Sequence, residues 1–243
     1  MSEQKIALIT GANKGLGFET ARQLGKQNIK VLVGARDETR GREAADKLQS
    51  EGFEAEFVLL DVSDSQTHEA AAKYVEENYG KLDILVNNAG IVLEGLSGTP
   101  SDVSLETLRK TFDTNFFGAI AVTKTFLPLL KKSNGGRIVN VSSGLGSLAQ
   151  NADPNWDYKD VKPLAYNSSK TALNAFTVIL AHELKDANVK VNSADPGYTA
   201  TDLNGNQGTK PVEQGATVIV HLATLPDDGV SGGFFDENGT VAW

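Results

Sequence analysis

A phenol, an ammonium group and a turn of glycines are the chemically equipped residues of this 243-residue chain. Tyr166 and Lys170 stand four apart in Tyr166-Asn167-Ser168-Ser169-Lys170. On a helix such a pair shares one face. A free Tyr titrates near about 10, and a neighbouring positive charge favours the phenolate. The pair is therefore equipped to move a proton. Thr10-Gly11-Ala12-Asn13-Lys14-Gly15-Leu16-Gly17 lies near the start of the chain. Backbone must turn sharply there and approach a ligand closely, which a Cβ would obstruct. Free N–H groups at the start of a following helix favour an anion such as a pyrophosphate. Together the two stretches predict hydride and proton transfer between a nicotinamide cofactor and a carbonyl or alcohol.

The Tyr-x-x-x-Lys spacing has a competitor, Tyr158-Lys159-Asp160-Val161-Lys162. It lies between Pro154 and Pro163, among Asn, Asp and Lys without helical period, and reads as loop. After Tyr166 the chain continues Ala172, Leu173, Phe176, Leu180 and Leu184 at helical spacing, so Tyr166 and Lys170 are the pair on a helix.

The elements that position these groups alternate. Strands are predicted at 5–10, 30–35, 55–60, 82–86, 136–141, 189–194 and 233–235. Helices are predicted at 16–27, 38–51, 65–79, 107–132 with a bend near Gly118, 164–185 and 212–222. Strands apolar on both faces and separated by helices imply a parallel sheet covered on both sides: an α/β, Rossmann-type doubly wound fold in a single domain, 1–243. Ligands of such folds sit beyond the carboxyl ends of the strands, where these motifs fall.

Composition bounds the rest. A hydrophobic fraction of 40% supports one large core. With no Cys there is neither a disulfide framework nor a thiolate metal site, and the three His are scattered. The net charge of −8 speaks against a nucleic-acid surface. No apolar run reaches membrane-spanning length, so the expectation is a cytoplasmic protein with no membrane partner.

The chain resembles the short-chain dehydrogenase/reductase family, its carbonyl-reductase branch in particular. The matching pieces are the Thr10-to-Gly17 turn, Arg36-Asp37, Asp61-Val62, Asn87-Asn88-Ala89-Gly90, Asn115, Ser142-Ser143, Tyr166 with Lys170, and Pro196-Gly197, in the family's order. The resemblance implies a catalytic set of Asn115, Ser143, Tyr166 and Lys170. Ser143 rather than Ser142 would donate to the substrate oxygen. Lys170 would also hold the nicotinamide ribose, and Asn115 would hold a water linking Lys170 to solvent.

For the cofactor, the resemblance implies contacts from Gly11, Asn13, Lys14, Gly15, Leu16 and Gly17 to the pyrophosphate, and from Asp61 and Val62 to the adenine. Asn88, Ala89 and Gly90 would approach it, with a structural role equally open for Asn87. Pro196, Gly197, Thr199 and Thr201 would hold the carboxamide. An acidic residue ending the second strand usually binds the ribose of NAD, whereas an Arg there accommodates the 2′-phosphate of NADP. By resemblance Ala35 takes the acidic place and Arg36 the phosphate place, with Lys14 as a second cation. Asp37 is the complication, since it could bind a ribose hydroxyl. NADP(H) is expected. The function implied is NADPH-dependent reduction of a small-molecule ketone or aldehyde. An NAD-dependent alcohol dehydrogenase and a non-catalytic NADP sensor are the rivals. The segment 202–210, rich in Gly and Asn, reads as a mobile lid.

The stretch Gln150 to Lys162 is longer than short members of the family use and is mostly polar, with Trp156 its only large apolar side chain apart from Tyr158, able to cap the pocket or join two subunits. It is expected to border the substrate cleft and to weaken the helix interface by which the family assembles, leaving a monomer or weak dimer.

Overall fold

In a computed structural model, residues 4–95 and 99–243 are described. The backbone forms an eight-stranded sheet in the order β3-β2-β1-β4-β5-β6-β7-β8. The strands are β1 (Ile6–Thr10), β2 (Lys30–Ala35), β3 (Ala55–Leu59), β4 (Ile84–Asn87), β5 (Gly136–Val141), β6 (Val189–Ala194), β7 (Phe234–Asp236) and β8 (Gly239–Thr240). All pairings are parallel except that of β7 with β8. The strand order reverses between β1 and β4, and a crevice opens above that point.

Helices cover both faces. On one side α1 (Gly15–Gly25), α2 (Glu38–Ser50) and α8 (Val212–Ala223) enclose a core that includes Ile9, Val31, Leu48, Val86 and Ile219. On the other, α3 (Ser65–Tyr79), α5 (Ala119–Lys131) and α7 (Leu164–Glu183) enclose Leu8, Leu32, Leu85, Phe126 and Leu180. Alternate residues of one strand thus enter different cores, which is why the strands read as unbroken apolar runs.

Two departures from the sequence-based elements matter. The helix expected at 107–132 is two helices. The first is α4 (Leu105–Phe112), which starts earlier because Ser104 caps it through the Thr107 N–H. Its successor, α5, follows a π-helical turn, Asp113–Gly118. The bend predicted near Gly118 is this turn. Gly118 is required where the helix meets Val62, since a Cβ would stand 2.8 Å from the Val62 carbonyl oxygen. Within the stretch read as loop, Leu148–Ala152 forms a short helix, α6, capped by Ser147. Finally, the segment 202–210 is closed at its base. Ala200 N–H donates to the Lys210 carbonyl (2.8 Å) and Lys210 N–H to the Tyr198 carbonyl (3.0 Å).

Candidate active site

The crevice above β1 and β4 is a cleft of ≈ 870 Å³. Every residue expected to bind cofactor or substrate lines it, except Asn115, which lies just behind its wall.

At one end is the glycine turn. Gly11 (φ +65°) and Gly15 (φ +57°) occupy the left-handed region that disfavours side chains. Gly17 is required by packing: a Cβ there would meet Asn88 Nδ2 at 2.5 Å and the Gly11 carbonyl at 2.7 Å. Asn88 is the clamp of this turn. Its Nδ2 donates to the Thr10 carbonyl at 2.8 Å and to the Gly11 carbonyl at 3.2 Å. The N–H groups of Asn88 and Ala89 both donate to Thr10 Oγ1. Asn87 is structural, its amide bonded to Thr123 and Asn140 in the interior.

The start of α1, like those of α5, α7 and α8, has no side-chain cap. Asp37, Asp64 and Ser104 each cap a helix with a side-chain oxygen, at α2, α3 and α4. At α1 the capping position is Lys14, no side chain accepts from the first turn, and that turn holds no acidic residue. Helix N–H groups, a positive helix end and a lysine fit a pyrophosphate. Arg36 is exposed and opens onto the same cleft. Asp37 is committed elsewhere: its carboxylate accepts from Arg40 N–H at 3.0 Å and pairs with the Arg40 side chain. Asp61 likewise turns its carboxylate to Ser63 N–H (2.9 Å), leaving Val62 beside it on the wall.

At the other end, Ser143, Tyr166 and Lys170 meet. The Tyr166 hydroxyl comes under the influence of the Ser143 side chain, which favours its phenolate. Ser142 also lines the cleft, with its oxygen buried and without a partner among the described residues. Ser143 is the serine that acts on the Tyr166 hydroxyl. The Lys170 ammonium donates to the Val141 carbonyl (2.8 Å) and lies 5.6 Å from the centre of the Tyr166 ring.

The expected lowering of the phenol by Lys170 is not what the protein groups produce. Burial, then the negative charge of Asp195, push Tyr166 up to about 12, against a smaller opposing effect of Ser143. Burial also brings Lys170 down to about 8. Both groups lose solvent, and the ammonium sits over the ring rather than at the hydroxyl, so desolvation dominates each. A phenol at about 12 is a proton donor at neutral pH.

Asn115 lies in the π-helical turn. Its Oδ1 accepts from Ile91 N–H (2.8 Å), and its Nδ2 donates to the Ile91 carbonyl and to Ser169 Oγ, both at 3.0 Å. A π turn shifts the backbone register and often marks a functional site. Gly90 separates Asn115 from the lysine: a Cβ there would lie 3.4 Å from Asn115 Oδ1 and 3.5 Å from Lys170 Nζ. Past β6, Thr199 is buried with its hydroxyl on the Pro196 carbonyl (3.0 Å), while Pro196, Gly197 and Thr201 face the cleft.

Two features escaped the sequence. Asp195 is a buried carboxylate on the cleft floor, raised by desolvation. Its Asp-Pro-Gly context reads as a turn, and only tertiary packing buries it. Lys14, expected to face phosphate, is paired with Asp202 at 2.6 Å. The long stretch borders the cleft as expected: Trp156 packs edge to face on Tyr158 with ring centres 5.5 Å apart, and Tyr158 on Tyr198 at 5.9 Å. Tyr158 is thus a loop residue that forms part of the wall.

Comparison with known proteins agrees with this architecture. The short chain dehydrogenase family model matches residues 5–211. A short-chain dehydrogenase of Penicillium roqueforti is 42% identical, over 90% of this chain and 88% of its own. Carbonyl reductase [NADPH] 1 of Rattus norvegicus is 33% identical, over 100% and 99% of the two chains. Among solved structures, NADPH-bound carbonyl reductase from chicken fatty liver superposes with a TM-score of 0.86 at 27% identity, covering 99% of this chain and 100% of the other. Salutaridine reductase of Papaver somniferum gives a TM-score of 0.83 at 32% identity, covering 96% and 100%. The chain belongs to the short-chain dehydrogenase family and is an oxidoreductase with carbonyl-reductase-like relatives.

Proposed function

We propose that this short-chain dehydrogenase reduces a ketone or aldehyde to an alcohol with NADPH, reversibly, with Tyr166 as the general acid. The observation that carries the reading is the meeting of Ser143, Tyr166 and Lys170 in a cleft whose far end is an uncapped helix start flanked by Arg36. Relatives named for NADPH-dependent carbonyl reduction support it.

The bound cofactor would supply a hydride to the carbonyl carbon. Tyr166 Oη gives its proton to the carbonyl oxygen, where negative charge develops. Ser143 Oγ donates a hydrogen bond to the same oxygen as charge builds. Lys170, anchored on Val141, holds the underside of the site, and Asn115 fixes the Ile91 backbone beside it. A phenol held at about 12 arrives protonated, which suits the reductive direction. Arg36 and the uncapped turn are the groups that would hold the 2′-phosphate and the pyrophosphate. NADP(H) is preferred over NAD because Asp37, the nearest carboxylate, is occupied by Arg40 and the cap of α2.

No helix among the described residues is long and apolar enough to cross a membrane. A cytoplasmic site of action belongs to the same proposal, since a Cys-free chain asks nothing of an oxidising compartment. So does a monomer or weak dimer, supported by the 150–162 segment lying against the first turn of α7 through Asn167. The deciding experiment is a panel of ketones and aldehydes offered with NADPH and with NADH, followed by cofactor absorbance. Turnover with NADPH is expected. Turnover with NADH alone, or with neither, would overturn the reading.

A further inference from the structure

The floor of the cleft holds a titratable group that the reaction as described does not use. Asp195 ends β6 with 9% of its surface exposed. Its Oδ1 accepts from Gly197 N–H at 2.9 Å, and its Oδ2 packs against Gly144, whose backbone N–H favours the charged carboxylate. Gly144 follows Ser143 directly, in the loop after β5. Gly197 lies in the loop after β6. One carboxylate therefore joins two loops whose backbones line the cleft on either side of the reacting atoms. The space around it is tight, since a Cβ on Gly144 would stand 2.9 Å from Asp195 Oδ2 and 2.7 Å from Gln150 Oε1.

We propose that Asp195 is a positioning residue for the Ser143–Tyr166 pair, tying the loops after β5 and β6 together and presenting a negative charge to the Tyr166 hydroxyl. This rests on the proposed reading of Tyr166 as the proton donor. The mechanical part follows from the two amides: Ser143 takes its orientation from a loop that Asp195 anchors one residue on. The electrostatic part follows from the surroundings. The charge of Asp195 opposes the phenolate of Tyr166 and Ser143 favours it, Lys170 lies over its ring, and its backbone N–H donates to Glu94 at 2.8 Å. Asp195 in turn faces Asp236 and Lys210, of opposite sign, besides Tyr166. A negative charge near a phenol opposes phenolate formation, so Asp195 keeps the donor protonated to higher pH.

Variants at Asp195 and Gly144 separate the two parts. Asp195→Asn keeps the size, removes the charge, and accepts from only one of the two amides. It is expected to lower turnover by about tenfold or more through loss of alignment. The alkaline limb of carbonyl reduction should move to lower pH, with NADPH affinity within about twofold of the parent, because no cofactor contact is assigned to this residue. Gly144→Ala displaces the carboxylate but keeps the charge, so it should lower turnover and leave the limb closer to the parent's. Amide exchange at Gly144 and Gly197, measured without cofactor, should quicken in Asp195→Ala under conditions where its melting profile shows it folded. Coincident pH profiles for parent and Asp195→Asn would overturn the electrostatic part. Unchanged exchange at both glycines would overturn the tie. A parent chain that reduces no carbonyl compound would sink the reading of Tyr166 instead, while the exchange measurement still decides the tie.

Discussion

The two ends of the sheet treat polar groups in opposite ways. At the amino end of β4, Asp83 is buried and fully engaged. Its carboxylate accepts from Ile6 N–H at 2.9 Å, from Ser133 and from Lys81 at 3.2 Å. Beside it in β5, Arg137 is 1% exposed and spends its guanidinium on the Leu225 and Gly136 carbonyls and Asp227, each at 2.9 Å. At the carboxyl end the groups are held short of partners. Asn87 Oδ1 and Ser142 Oγ have none among the described residues, the start of α1 has no side-chain cap, and Tyr166 and Lys170 are buried and shifted in opposite directions. Buried polar groups cost stability unless paired. The paired end secures the strands. The under-satisfied end is where a ligand has something to bind.

Tyr166→Phe should break the comparison most visibly. It removes one hydroxyl from a core-like site, so folding and cofactor affinity should hardly change. Carbonyl reduction should fall by about 10²- to 10⁴-fold, the range of a positioned proton donor. Steady-state rates beside a melting curve check both halves. Substantial activity in Tyr166→Phe, with Tyr158→Phe inactive, would move the donor to the other Tyr-x-x-x-Lys pair.

The amino end should respond in the reverse sense. Asp83→Ala strips an acceptor from Ile6 N–H, from Ser133 and from Lys81. Leaving a buried donor unsatisfied costs about 1–3 kcal/mol. Stability by denaturant titration should fall by about 3 kcal/mol, while turnover per folded molecule stays at the parent level. A large kinetic effect at unchanged stability would erase the division between the two ends.

How much of this division is legible in the sequence follows from what each feature depends on. Strands β2, β5 and β6 and helix α3 fall where periodicity places them, because apolar runs and caps are local signals. The glycine turn and the Tyr166–Lys170 helix are local in the same way. Asp83 and Arg137 are ordinary surface residues by composition, and only the packing of β4 against β5 buries them. Asp195 hides in a turn-like Asp-Pro-Gly for the same reason. The π-helical turn shows in the sequence only as a bend near Gly118, because the bonds that Asn115 makes there to Ile91 are non-local. The expected effect of Lys170 on Tyr166 assumed charge without burial, and burial outweighs it here.

At the carboxyl end, cofactor choice should hinge on Arg36. Arg36→Ala is expected to weaken NADPH by about 10- to 100-fold, the worth of a charge-assisted hydrogen bond, and NADH by less than about twofold. Equilibrium titration with each cofactor reads it. Equal changes for the two would show that Arg36 does not meet the 2′-phosphate.

The smallest expected effect concerns Lys14, a cation of the carboxyl end that is already paired with a carboxylate. Lys14 Nζ lies 2.6 Å from Asp202 Oδ2, and both side chains are more than half exposed. The pair links the glycine turn to the segment beyond β6. If Lys14 is the second cation for the phosphates, Asp202 competes with the cofactor for it. An exposed ion pair is weak and salt-screened, so the competition is slight. Asp202→Asn should therefore tighten NADPH by about two- to fivefold at low salt. The gain should be smaller for NADH, which carries less charge, and should vanish as salt rises. Lys14→Ala should act in the opposite direction, and Asp202→Asn added to it should bring no further gain, because the competitor then has nothing to withhold. Weaker NADPH binding in Asp202→Asn would mean that the pair closes over the bound cofactor instead. Lys14 would then belong with the engaged groups of the amino end, and the contrast between the two ends would narrow to Arg36 and the uncapped turn.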